Sequence, residues 1–371
     1  MSGAVWLNAR AAGARPMNAV EAGVLAPQGF AAARDAISTW PDYRPTPLLD
    51  LPALASAVGV DTLYYKDEAP RFGLGSFKAL GGAYAVQRLV EDGSAETFAT
   101  ATDGNHGRAV AWGARRFGRR AIVYIHENVS EGRAEAIRAF GAEVVRTPGN
   151  YDDSVRQAAA DAALNGWTVV SDTSWEGYEE IPRLVMYGYG VMVEEALRQA
   201  PRAPTHIFVQ AGVGALAAAV CAVAWQTLGA ERPRLVIVEP ERAACLFESA
   251  RQGRLSPATG DTDSLMAGLA CGEASPLAWD LLRTGADAFM IVPDDDAVQA
   301  MRRLATPLAG DPPIVAGESA VAGLCGLMRV CQDARLKTAL GLDANARVLL
   351  FGTEGATDPD LYRRLVSEAG E

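Results

Sequence analysis

Short β-rich runs alternate with longer helical patterns along most of the chain, and this alternation constrains the fold more than any single motif. "TLYYKDE" (62–68) reads as a strand, and "SFKALGGAYAVQRLVEDG" (76–93) as a helix with Ser76 available as N-cap. "TFATATDGN" (97–105) is a strand running into a turn, "HGRAVAWGARRFG" (106–118) a helix that Gly118 can close, and "AIVYI" (121–125) a strand. The pattern continues through the helix "GRAEAIRAFG", the strand "EVVRT", the helix "DDSVRQAAADAAL" and the strand "WTVVSD". The long helix "EEIPRLVMYGYGVMVEEAL" follows, then "THIFVQ", the small-residue helix "GALAAAVCAVAWQTLG", and the buried strands "RLVIVEP" and "RVLLFGT". Apolar strands separated by amphipathic helices indicate an α/β fold with mostly parallel, twisted sheets flanked by helices. A chain of 371 residues fits one large core or two intimate ones. The proline-rich "QAPRAPTH" (199–206) is the best candidate junction.

In such sheets ligands bind beyond the carboxyl ends of the strands, so the turns after strands are the informative places. In "THIFVQAGVGAL" (205–216), Gly212 and Gly214 let the backbone pass close to an anion. The amides of Gly212, Val213, Gly214 and Ala215 would point at that anion together with the helix dipole, a phosphate cradle. Two glycines in such a turn also serve plain packing, and the absence of a full G-x-G-x-x-G disfavours a dinucleotide. In "TATDGNHGRAV" (100–110) the turn from Thr102 through Gly104 to His106 suits a small carboxylate, and Asn105 can donate to a ring oxygen. Asp103 is an acid beside an anion-binding turn, readable as a helix N-cap or as a base.

Lys78 is the lone cation in an uncharged stretch between Arg71 and Tyr84. Locally it can simply extend into water. Burial among Phe77, Leu80 and Tyr84 would instead lower its pKa and leave a nucleophilic amine. A reactive lysine, a phosphate cradle and a carboxylate turn together describe pyridoxal 5'-phosphate with an amino-acid substrate.

Other chemistries find little support. His106, His126 and His206 lie far apart, and H-E-x-x-H, G-x-S-x-G and G-x-x-x-x-G-K-[ST] are all missing. No metal site is expected. A net charge of −11 argues against nucleic acid and anionic membrane as partners. No run of 18 apolar residues occurs, and the first residues lack the apolar core of a secretory signal, so a cytoplasmic location is expected. Five scattered cysteines read as buried thiols, with a Cys245–Cys271 bridge left open.

The pattern S-F-K-x-L-G-G, then G-N-H-G, then a glycine turn before a helix, resembles the tryptophan-synthase-β-like (fold-type II) pyridoxal-phosphate enzymes. Within them the chain is similar to the diaminopropionate ammonia-lyase family, through "RFGLGSFKALGGAYA", "TATDGNHGRAVAW", "SDTSWEGYEEIP", "QAGVGA", "VEPERAACLFESA", "LMAGLACGE", "GESAVAGL" and "TEGATDP". The resemblance implies a two-domain molecule, with residues 1–80 and 200–371 forming a large cofactor-binding domain and 81–199 a smaller one. The active site would lie between them, and a homodimer is the usual assembly.

It also implies roles. Lys78 would carry the cofactor, and Asp103 would act as a base on the opposite face, so that one site accepts both D and L substrates. Asp172 would receive the β-amino group or assist its departure. Thr353 would face the pyridine nitrogen with a neutral hydroxyl, and Glu318 would be a supporting acid or a helix-start charge. The implied reaction removes ammonia from 2,3-diaminopropionate to give aminoacrylate, which hydrolyses to pyruvate and ammonia. Gly75, where a larger polar residue is usual, and a short spacer before "TDGNHG" depart from the pattern and bear on substrate identity. The alternatives are dehydration of serine or threonine, another β-elimination or β-replacement, and a non-catalytic binding protein on the same scaffold.

Overall fold

The computed structural model describes residues 4–367 apart from Ser94 and Asp103. Its strands are β1 (Val5–Leu7), β2 (Leu48–Asp50), β3 (Thr62–Asp67), β4 (Thr97–Ala101), β5 (Arg120–His126), β6 (Glu143–Thr147), β7 (Thr168–Val169), β8 (His206–Gln210), β9 (Arg234–Pro240), β10 (Ala288–Val292) and β11 (Arg347–Gly352). They form a seven-stranded sheet of order β1-β10-β9-β8-β11-β3-β2 and a four-stranded sheet of order β6-β5-β4-β7. Every pairing is parallel except those of the edge strands β1 and β2. The apolar runs are buried on both faces, as parallel strands covered by helices must be.

The α/β expectation is therefore met, with three local differences. "WTVVSD" contributes only the two residues of β7. β1 and β2 are three-residue edges, too short to show alternation in the sequence, and the run "AFMIV" of β10 could equally be buried helix. Ser76 does not cap the following helix, because its backbone pairs with Glu354 instead.

Eight helices position the site: α1 (Pro27–Ser38), α2 (Ala79–Glu91), α3 (Asn105–Arg116), α4 (Glu131–Arg138), α5 (Tyr151–Asn165), α6 (Glu180–Gln199), α7 (Ala215–Leu228) and α8 (Ala322–Gln332). All four strands of the smaller sheet fall within 97–169 and all seven of the larger lie outside 81–199. On that sorting we propose the division of 1–80 with 200–371 against 81–199. The core does not break there. α6 packs on α2 and also on α1 and α7, and one apolar cluster runs from Leu80 and Val110 through Tyr189 to Val220 and Ile237. Glycine makes the α2–α6 contact possible: a Cβ on Gly188 would sit 2.0 Å from the carbonyl oxygen of Leu80.

A buried charge cluster anchors the segment that leads to Lys78. Glu195 of α6 accepts from Lys66 of β3 and from Arg71, each at 2.7 Å, and Arg71 also pairs with Glu68 at 2.7 Å. None of the four side chains is more than 1% exposed. Two cations balance two anions, which is what allows them to be buried at all. Burial pushes the Glu195 carboxyl up, but Arg71 and Lys66 outweigh this and hold it below the usual carboxylate range. A lowered carboxyl stabilises the fold above its unfolded pKa and loses that contribution as pH falls toward the lowered value.

Glu195→Leu is expected to leave Lys66 without its carboxylate and the buried cluster with one unbalanced positive charge, and to cost about 3–5 kcal/mol in urea unfolding at pH 7. Glu195→Gln should cost less, and its deficit should hold steady down to about pH 5 and shrink below about pH 4. An unchanged unfolding midpoint in Glu195→Leu would remove the cluster from the stability argument.

Candidate active site

Residues at the carboxyl ends of β4, β8 and β11 line one cleft. Every described residue expected to form the site lines this cleft, Lys78 and Asp172 included. Asp103 lies outside the described residues.

Lys78 reaches the cleft because the chain before it is folded back on the end of β11. Phe72, Gly73 and Gly75 take left-handed backbone conformations, with φ of 51°, 69° and 71°. The amide of Phe77 then donates to the carbonyl of Thr353 at 3.1 Å, and the amide of Gly355 to the carbonyl of Gly75 at 2.9 Å. Gly75 does not line the cleft. A Cβ there would make only ordinary contacts, so its backbone angle and not space calls for glycine.

The Lys78 side chain is 19% exposed, and its Nζ lies 2.5 Å from Asp172 Oδ2. The rings of Phe77 and Tyr189 stand 5.5 and 5.6 Å from Nζ. Burial pulls this amine down, as expected from the sequence, but the Asp172 carboxylate outweighs it and holds Lys78 above the usual lysine range. This corrects the expectation of a neutral amine: the apolar neighbours are present, and a countercharge 94 residues away overrides them. Leu80 and Tyr84 belong to the packed core. Asp172 is correspondingly held down, since Lys78 and then His106 outweigh its burial.

The turn after β8 forms a cradle. The amides of Gly212, Val213, Gly214 and Ala215 meet no acceptor among the described residues, and they stand at the start of the 14-residue α7. Gly214 has φ of 97°, and a Cβ on Gly212 would come within 3.0 Å of Cys271 Sγ. Open backbone donors at a helix N-terminus fit a phosphate.

The turn after β4 is organised by Thr102, whose hydroxyl accepts from the amides of Gly104 at 2.9 Å and Gly107 at 3.1 Å. The amides of Asn105 and His106 meet no acceptor among the described residues. The Asn105 side chain donates to Glu354 and accepts from Arg108 at 2.9 Å. His106 Nε2 stands 2.9 Å from the carbonyl of Val170, so it carries the proton and Nδ1 the lone pair. Nδ1 has no partner among the described residues, and burial holds the ring below the ordinary histidine pKa.

Thr353 follows β11, and its hydroxyl accepts from Gln210 Nε2 at 2.8 Å. Glu318 meets Arg133 of α4 at 2.6 Å, and burial with the nearby Glu354 pushes its carboxyl up. No disulfide joins Cys245 to Cys271. Sequence reasoning missed Gln210, Glu354, Arg133 and Tyr189. Gln210 had a signal, as the polar end of an otherwise apolar run, and so had Glu354, an acid just after a buried strand. Arg133 and Tyr189 had none.

The amide cradle, the cleft-facing lysine and the Thr353 hydroxyl fit pyridoxal phosphate. The family model described as "Pyridoxal-phosphate dependent enzyme" matches residues 39–352. The diaminopropionate ammonia-lyase of Escherichia coli (strain K12) is 42% identical over 350 residues, covering 88% of each chain. That of Salmonella typhimurium is 40% identical over 358 residues, covering 88% of this chain and 89% of the relative. A crystal structure of the Escherichia coli enzyme, in complex with an aminoacrylate-PLP azomethine reaction intermediate, superposes with a TM-score of 0.92. It is 38% identical and covers 99% of this chain and 97% of its own. The chain belongs to the pyridoxal-phosphate-dependent enzyme family, on its diaminopropionate ammonia-lyase branch.

Proposed function

We propose that this chain removes ammonia from 2,3-diaminopropionate, releasing aminoacrylate that hydrolyses to pyruvate and a second ammonia. The observation that carries this reading is a lysine–carboxylate pair facing four open amides across one cleft. The degree of similarity to diaminopropionate ammonia-lyases over nearly the whole chain supports the substrate. Pyridoxal phosphate, when bound, supplies a conjugated ring that delocalises negative charge developing at the substrate Cα.

The chain's own residues do the rest. Gly212 to Ala215 hold the phosphate through their amides, and Asn105 and Thr353 orient the ring. Thr102, Gly104 and His106 form the turn that receives the substrate carboxylate. Lys78 would hold the cofactor covalently through Nζ, and its amine, when free and neutral, would take the Cα proton of the L isomer. Asp103 takes that of the D isomer from the other side. Asp172 compensates the charge on Lys78 Nζ, and it receives the β-amino group of the substrate or assists its departure as ammonia. We place the enzyme in the cytoplasm as a homodimer with a small amino acid as its partner. Among the described residues no helix is long and apolar enough to cross a membrane.

Three measurements test this reading. With D- and L-diaminopropionate, D- and L-serine and L-threonine offered separately, pyruvate should form fastest from diaminopropionate. Pyruvate from L-serine alone would overturn the substrate. Asp103→Asn should lower kcat on the D isomer by about 100-fold or more and on the L isomer by less than about tenfold. Equal losses would make Asp103 a cap or a carboxylate-site element. In Asp172→Asn the amine loses its countercharge and burial dominates. The pH midpoint for uptake of pyridoxal phosphate by apo-protein, followed by the visible band, should therefore fall by about two units or more. An unmoved midpoint would show that Asp172 does not set the charge of Lys78.

A further inference from the structure

We propose that Gln210 is a positioning residue that makes the Thr353 hydroxyl a hydrogen-bond donor into the cleft, and so keeps the cofactor's ring nitrogen an unprotonated acceptor. The proposal rests on the reading above, in which Thr353 meets that nitrogen.

Gln210 ends β8, is 1% exposed, and lines the cleft beside Thr353. Its Nε2 lies 2.8 Å from the carbonyl oxygen of Phe351 and 2.8 Å from Thr353 Oγ1, with the carbonyl of Ala320 at 3.4 Å. A carbonyl oxygen only accepts, so the amide atom facing Phe351 has to be nitrogen, and the orientation of the side chain follows. One Nε2 proton goes to Phe351 and the other to Thr353. The threonine oxygen is thereby an acceptor toward Gln210, and its single proton has to leave in another direction.

Among the described residues no acceptor meets that proton, and Thr353 is buried except toward the cleft. If the ring nitrogen carried a proton, it would have to donate to Thr353, and the threonine's own proton would be left buried and unsatisfied. The arrangement therefore favours a nitrogen that accepts. A second observation separates this from packing. Gln210 Oε1 has no partner among the described residues and faces Gly323, where a Cβ would lie 3.4 Å from it. A side chain needed only to fill space would not leave a buried oxygen unsatisfied.

The test compares Gln210→Met, Thr353→Val and the double variant, each loaded with pyridoxal phosphate. The readouts are the pH dependence of the bound cofactor's visible absorption and the Kd for pyridoxal phosphate measured on apo-protein. Thr353→Val and Gln210→Met are each expected to shift the absorption profile and weaken the Kd about five- to tenfold, with kcat falling and KM little changed. The double variant should be no worse than Thr353→Val alone, because both remove one directed hydrogen bond. Fully additive effects, or a Gln210→Met spectrum and Kd like wild type, would overturn the role of Gln210 while leaving Thr353 in place. A Thr353→Val spectrum like wild type would overturn the Thr353 assignment and this proposal with it. Should Gln210→Met not fold, Gln210→Leu carries the same test. It too removes the amide donor, and the profile should shift in the same direction; an unshifted profile would overturn the proposal.

Discussion

Two backbone hydrogen bonds between residues 75–77 and 353–355 decide where everything else in the site can stand. They pin the segment before α2 onto the end of β11, so Lys78 emerges beside Thr353 by covalent geometry and not by side-chain chance. β11 lies between β3 and β8, so the same strand end also carries the neighbours of Gln210 and of the cradle that follows it. Glu354 extends the link, accepting from the amide of Ser319 on one side and from Asn105 on the other. The lysine, the hydroxyl and the carboxylate turn are thus indexed to one short stretch of backbone. Precise placement of reacting groups needs this kind of rigid support.

Charge pairing sets the second constraint. The cleft holds its lysine against Asp172, and deeper in the molecule Lys66 and Arg71 are held against Glu195 and Glu68. The two pairings serve different ends. The deep cluster is fully enclosed and balanced, which suits a fixed structural joint. The pair in the cleft is partly open, so Asp172 compensates Lys78 at a place a ligand can also reach.

Much of this was legible from residue order, because a parallel sheet forces ligands to the turns after its strands, and those turns are short and glycine-marked. On local chemistry "QAGVGA" and "TDGNHG" could be read as candidate anion-binding turns, with packing and helix capping left open. The pKa of Lys78 could not, since the group that reverses it comes from a loop 94 residues further along the chain. Gly75, read as a departure that bears on substrate identity, lies outside the cleft lining and meets a backbone requirement. The Arg133–Glu318 and Asn105–Glu354 contacts join the two sheets' loops and leave no local pattern. Nor does residue order show that α6 packs on α1, α2 and α7 alike.

That shared helix has a mechanical consequence. A cleft between two bodies with separate cores can open like a hinge, because only polar surface parts. Here the apolar cluster under α2, α6 and α7 is continuous, and swinging the sheets apart would bring its leucines, valines and tyrosines into water. A continuous core of this kind resists a rigid swing of one sheet away from the other, and leaves the polar loops at the rim as the part of the cleft that can rearrange at least cost.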